Sequence, residues 1–243
     1  MKYSRSLLAR LYRDDAHGVA LIEFALIFPF LMVLLFGGIE VTRLLLIQQK
    51  LEKAGYVVSD IVTRYTAATA AGAGGEISAS ELTTNVFPVV ARLMNPYDAP
   101  EDMAAIITSL EKTATQVIVR WQIAGAGSLS GCDTQSPANC VTSIVNGLAP
   151  SAISPAVAGT PARLPGEMLS AITSYPVTSG SANNIVVSEV FFQYRPLLQT
   201  LLQGVGAAAD FDFFLEPRYF VKRSFFVPRT AALLHLPPNF PVN

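Results

Sequence analysis

Gly18-Val19-Ala20-Leu21-Ile22-Glu23-Phe24-Ala25-Leu26-Ile27-Phe28-Pro29 is the stretch that decides how this chain is read. It joins a short leader, residues 1–18, to a long apolar run. The leader carries Lys2, Arg5, Arg10 and Arg13, and Glu23 is the only charge between Val19 and Ile39. As a helix rising about 1.5 Å per residue, this run is about 31 Å long, the thickness of a bilayer's hydrocarbon layer. Leu, Ile, Phe or Val fill eleven positions between Phe24 and Ile39. Together they favour insertion by about 3–7 kcal/mol, while one carboxylate near the edge costs at most about 3 kcal/mol. The segment is therefore expected to cross a membrane. It exceeds the apolar core of a cleaved signal peptide and lacks a small-residue cleavage site after it, so a retained anchor is expected. Arg43, Lys50 and Lys53 follow the run. Four flanking cations before it against three after it place the N-terminus on the cytoplasmic side.

The apolar pattern continues beyond the run. Leu44, Ile47, Leu51, Ala54, Val58, Ile61 and Tyr65 recur at steps of three and four, an amphipathic stripe. One helix is expected over residues 19–66, bent at Pro29, where a backbone hydrogen bond is missing. Ala67–Gly75 has the composition of a linker. A second helical pattern places Leu82, Val86, Val89, Val90 and Leu93 on one face and stops at Asn95-Pro96. Strands are expected at Met103–Leu110 and Thr115–Ile123, joined by a turn at residues 111–114, and again at Asn184–Tyr194 and Phe220–Val227. A short helix is expected at Pro196–Leu202. Residues 125–165 are rich in Gly, Ser, Pro and Ala and read as a long loop. The expected fold class is α+β. A long transmembrane and amphipathic helix precedes an exported domain, residues 67–243, built on a small antiparallel sheet.

Composition narrows function. The chain has 243 residues, 51% hydrophobic and 14% charged, with 17 basic against 18 acidic side chains. A balance this even excludes an electrostatic nucleic-acid binder. Two His and two Cys are too few for a zinc scaffold, and no metal or cofactor is expected. Cys132 and Cys140 form a candidate disulfide in an exported loop, the alternative being two free thiols. Gly204-x-Gly206 follows an expected helix, not a strand, and so lacks the context of a dinucleotide fingerprint. No nucleophile motif accompanies His17 or His235, and catalysis is not expected. Glu101, Asp102, Asp210 and Asp212 read as solvated loop carboxylates. Tyr194, Tyr219 and the paired phenylalanines read as core or sheet-face residues.

Residues 16–58 resemble the TadE-like pseudopilins, minor subunits of tight-adherence (type IVc) pili. The resemblance rests on Gly18, four residues, Glu23 and the aromatic Phe24, followed by the apolar stretch with Pro29. Phe36-Gly37-Gly38-Ile39-Glu40-Val41-Thr42-Arg43 and Gln48-Gln49-Lys50-Leu51-Glu52-Lys53-Ala54 are also similar to that family. Val187-Ser188-Glu189-Val190-Phe191-Phe192 and Val227-Pro228-Arg229 resemble its last strands more loosely. The resemblance implies cleavage between Gly18 and Val19 by a prepilin peptidase. It implies a bacterial inner-membrane protein with its C-terminal domain in the periplasm, and entry into an extracellular pilus is open. Its partners would be the membrane, the peptidase, other pilins or pseudopilins and the assembly platform, with a role in assembling, priming or capping the filament. Cleavage would leave an amine at Val19, with Glu23 about 6 Å further along the helix axis. Glu23 and Phe24 would then set the register between neighbouring helices. A single-pass anchored binding domain unrelated to pili is the alternative reading.

Overall fold

The computed structural model describes residues 4–69, 79–97, 101–113, 116–127, 129, 141–150, 153, 161–174, 184–197 and 218–226. Within the first helix, the described side chains run from Val19 to Thr63. That helix, α1, spans Ser4–Thr69. It therefore takes in the leader and the first residues of the expected linker, and it continues through Pro29 without interruption. The expected architecture is present: a long apolar N-terminal helix followed by a four-stranded antiparallel sheet.

The sheet is ordered β2-β1-β3-β4, with β1 at Met103–Lys112, β2 at Val117–Gly125, β3 at Asn184–Tyr194 and β4 at Arg218–Phe226. β1 and β2 form the expected hairpin, but its turn lies later than residues 111–114. Thr113 N–H donates to the Gln116 carbonyl at 2.8 Å, and Gln116 N–H donates to Thr113 Oγ1 at 3.1 Å. The threonine side chain supplies a local alternative to strand pairing, and Glu111 and Lys112 remain in the ladder. Opposite Ser109 and Leu110 the register shifts, which leaves Arg120 as the extra residue of β2.

α1 packs on the sheet through Ile47, Leu51, Ala54, Val58 and Val62, all buried. The buried stripe ends on Val62, with Ile61 only partly covered. A seven-residue repeat drifts by about 20° per heptad around a straight α-helix, so the buried position moves one residue along. At its tightest point the helix meets β3 and β4 through small residues. Ser59 and Ser188 share a hydrogen bond at 2.5 Å, Ser188 donates to the Gly55 carbonyl at 3.0 Å, and a Cβ on Gly55 would lie 3.2 Å from Ser224 Oγ.

The segment after α1 also differs from the expected single helix. α2 (Ala79–Glu81) leads into a π-helical turn (Leu82–Val86) and then α3 (Phe87–Met94). Pro88 supplies no backbone N–H, so it sits at the start of α3 while Phe87 N–H reaches back five residues to Leu82. The wider turn rotates the buried face onto Leu82, Val86, Phe87, Val90 and Met94, leaving Val89 and Leu93 only partly buried. Phe87 lies directly over Gly125 at the end of β2. A Cβ on Gly125 would fall 2.3 Å from the Phe87 ring, closer than any relaxed contact. Gly125→Ala is expected to cost about 1–3 kcal/mol, the range for overpacking a core. Adding Phe87→Leu should recover part of that loss, as read by urea unfolding of both variants in detergent; a simple sum of losses would refute the contact.

The far face of the sheet is covered too. Leu110, Val117, Val119 and Val187 pack with Val145, Leu164 and Ile172, the last on α4 (Gly166–Ser174). Ala104, Ile106 and Phe191 pack with Leu129 and Ala149. The domain therefore has three layers: helix, sheet, and a cover of short segments drawn partly from residues 125–165. An isolated bridge between Ile118 and Pro161 ties that cover to the edge of β2.

Candidate functional site

Gly18, Val19, Glu23, Phe24 and Pro29 all lie on α1. The backbone is helical through Gly18, so the bond to Val19 lies inside a continuous helix. From Val19 to Leu31 every side chain is exposed, Glu23 included. Phe24 stacks obliquely on Phe28 one turn on, with ring centroids 5.5 Å apart. No residue from Val19 to Leu46 is buried, although Leu, Ile, Val and Phe dominate. A soluble helix hides such residues on one stripe; here they face outward all round. Over its most apolar 18 residues the helix has a mean hydropathy of 2.7, and it fits a single-pass membrane anchor.

Where the helix meets the domain, a cluster of polar side chains joins them. Tyr194, at the end of β3, donates its hydroxyl to Glu40 Oε1, and Leu197 N–H donates to the same carboxylate at 3.2 Å. Arg43 lies 3.8 Å from Glu40 and 5.8 Å from the centroids of both the Tyr97 and Tyr194 rings. Burial, and then the hydrogen bond to Glu40, push the Tyr194 hydroxyl well above the usual phenol range, so it remains a donor. Beside it Arg195 pairs with Asp102 at 2.9 Å, and Gln193 N–H donates to the Asp102 carbonyl at 2.7 Å. Burial raises the Asp102 carboxyl above its ordinary value, and the Arg195 charge opposes that rise. Asp102 is thus not the solvated loop carboxylate expected from the sequence. Arg43, Tyr97, Asp102, Gln193, Tyr194 and Arg195 line a cleft of about 170 Å³ beside this junction.

A second polar constellation lies on the sheet face away from α1. Glu189 in β3 is fully buried. It accepts hydrogen bonds from Ser143 Oγ, from Ile144 N–H at 2.9 Å and from Arg223 Nε at 3.0 Å. Gln122 Nε2 donates to Thr108 Oγ1 at 2.9 Å and to Ser143 Oγ at 3.2 Å, and Asn146 donates to the Gln122 carbonyl oxygen. All four strands and the segment 141–150 are joined through this network.

Neither constellation is visible in a linear reading. Glu40 and Tyr194 are 154 residues apart, and Ser143 and Glu189 are 46 apart. The local signal for the second is a carboxylate inside a strand rich in β-branched and aromatic residues. Cys132 and Cys140 lie outside the described residues.

No curated protein and no solved structure matches this chain. Residues 18–59, from the junction glycine through the exposed helix and Glu40 to Ser59, match the family model described as TadE-like protein, a likeness that supports an association with the tight-adherence pilus system.

Proposed function

We propose that this chain is a minor pilin-like subunit that works by assembly and not by catalysis. It sits in the bacterial inner membrane through α1, with its N-terminus cytoplasmic and its sheet domain periplasmic. A prepilin peptidase removes residues 1–18. The trimmed protein then joins other pilins or pseudopilins and the assembly platform to build, prime or cap a filament. One observation carries this reading: between Val19 and Ile39 α1 buries none of its apolar side chains and bears a single charge, the Glu23 carboxylate five residues past Gly18, inside the stretch that matches the TadE-like family.

The chemistry supports it. A bond within a regular helix is shielded from a protease until the helix opens locally. Glycine lowers the cost of opening by about 1 kcal/mol relative to alanine, and it leaves room beside the carbonyl. Hydrolysis of the Gly18–Val19 bond creates an ammonium at Val19 at neutral pH. Glu23 then lies in the first turns of the shortened helix, where a carboxylate complements the helix dipole. In hydrocarbon an ionised carboxylate needs a partner, and the new amine, its own or a neighbour's, is the nearest kind available.

Intact mass measurement of the protein from its native membrane tests this reading. A mature chain beginning at Val19 is expected. Recovery of the chain with Met1 and the leader attached would overturn processing, and with it the pilin-like reading. Gly18→Leu is expected to leave the leader in place while membrane insertion is unchanged.

A further inference from the structure

We infer that the underside of the sheet domain rests in the headgroup layer of the membrane that α1 crosses, with Leu197 dipping to the level of the acyl chains. The inference rests on the reading of Val19–Ile39 as the spanning segment, and goes beyond it by fixing where the domain stands.

The depth follows from α1. Exposed apolar side chains do not stop at Ile39; Val41, Leu45 and Leu46 are 59%, 53% and 44% exposed. From Val19 to Leu46 the helix is about 42 Å long. That exceeds the hydrocarbon core of about 30 Å, so the exposed apolar surface runs on past Ile39 into the far headgroup layer. Counted from Val19, where the spanning segment begins, Glu40 lies about 31 Å along the axis, just past a hydrocarbon core about 30 Å thick and so at the base of the headgroup layer. Side chains on an α-helix tilt toward its N-terminus, so the Glu40 carboxylate points toward the bilayer and not away from it.

The domain is tied to that carboxylate. Tyr194 and the backbone N–H of Leu197 both donate to it, so the turn after β3 is held at or below the level of Glu40. At that level Leu197 is 44% exposed, a large apolar side chain with no reason to face water. Arg195 is 47% exposed while it pairs with Asp102, so its charge stands at that surface, where lipid phosphates would meet it. Arg43 stands between the Tyr97 and Tyr194 rings, and tyrosine and arginine are the residues that favour a membrane interface. The chemistry of the turn therefore matches a surface that is apolar beneath and anionic above.

The test uses the full chain in vesicles of phosphatidylcholine and phosphatidylglycerol whose acyl chains carry bromine either near the headgroups or near the midplane. Bromine quenches tryptophan only in contact. Trp121 is 1% exposed within the domain core and supplies the baseline. Leu197→Trp should add emission that is lost chiefly to bromine near the headgroups. Leu31→Trp should add emission that is lost to bromine near the midplane. Loss for Leu31→Trp with none for Leu197→Trp would overturn the docking while the spanning helix stands. Failure of both would remove the anchor as well, and the docking with it.

Discussion

Glu189→Leu is expected to lower the stability of the sheet domain by about 3 kcal/mol, the scale for removing one partner of a buried charged pair. The carboxylate is fully buried, and it is the shared acceptor for Ser143 Oγ, Ile144 N–H and Arg223 Nε. Leucine fills the space but accepts nothing. The Ile144 N–H and the Ser143 hydroxyl lose their partner where water cannot replace it, at about 1–3 kcal/mol for each such group. Arg223 is 32% exposed and can turn toward solvent, which limits its share of the loss. Glu189→Gln keeps an oxygen for Ile144 and Arg223 and should lose less, about 1 kcal/mol, the net worth of an ordinary hydrogen bond. Urea unfolding in detergent, followed by Trp121 emission, reads both variants. Equal stability for Glu189→Leu and the parent would show that the carboxylate does not hold the cover to the sheet.

The same residue also fixes the pairing of the strands. Glu189 stands opposite Arg223 in the β3–β4 ladder and opposite Ile106 in the β1–β3 ladder. A slip of β3 by one residue turns Glu189 toward α1, where Val58 and Ser59 are packed without room for a charge. A buried acid in an apolar strand thus penalises the wrong register more than it stabilises the right one. That is the best-attested service of a buried ion pair.

How much of this was legible depends on the range of the signal. β3 was readable to its ends, because Asn184–Tyr194 is rich in β-branched and aromatic residues and the strand is buried on both faces. That double burial also implies a cover over the second face, which the expectation of one long helix against a sheet did not include. The cover comes from stretches rich in Gly, Ser and Pro, whose composition marks turns and says nothing of where they pack. The stripe on α1 was legible from Leu44 to Val58 and then drifted, because heptad spacing and helical pitch disagree. The exposed half of the same helix was legible as a membrane segment from composition alone. Glu40 was visible only as part of a resemblance. Its partners, Tyr194 and Leu197, come from the other end of the chain, and no periodicity records a contact across that distance.

Glu23→Ala is expected to be trimmed like the parent yet to lose most of its association with neighbouring subunits. The two effects separate because the carboxylate acts differently in the two states. In the unassembled protein it is exposed on a helix read as membrane-spanning, and it costs insertion up to about 3 kcal/mol. Alanine removes that cost, so insertion should hold or improve. On the proposed reading the peptidase recognises the leader and cuts after Gly18, which Glu23→Ala leaves unchanged, so cleavage should continue. In the assembly the sign reverses. On the proposed reading each trimmed subunit would bring an ammonium at Val19 into hydrocarbon, and without Glu23 that charge would lose its carboxylate partner. Leaving one member of such a pair unmatched costs about 3–5 kcal/mol, enough to reduce association by two to three orders of magnitude. Glu23→Asp, which keeps the charge on a shorter stem, should recover part of the association, and Glu23→Gln should recover little. Crosslinking in the native membrane, with intact mass to confirm the start at Val19, reads both arms together. Parent-level crosslinking of a correctly trimmed Glu23→Ala chain would mean that the acid is a passenger on the anchor and that some other face of α1 sets the register.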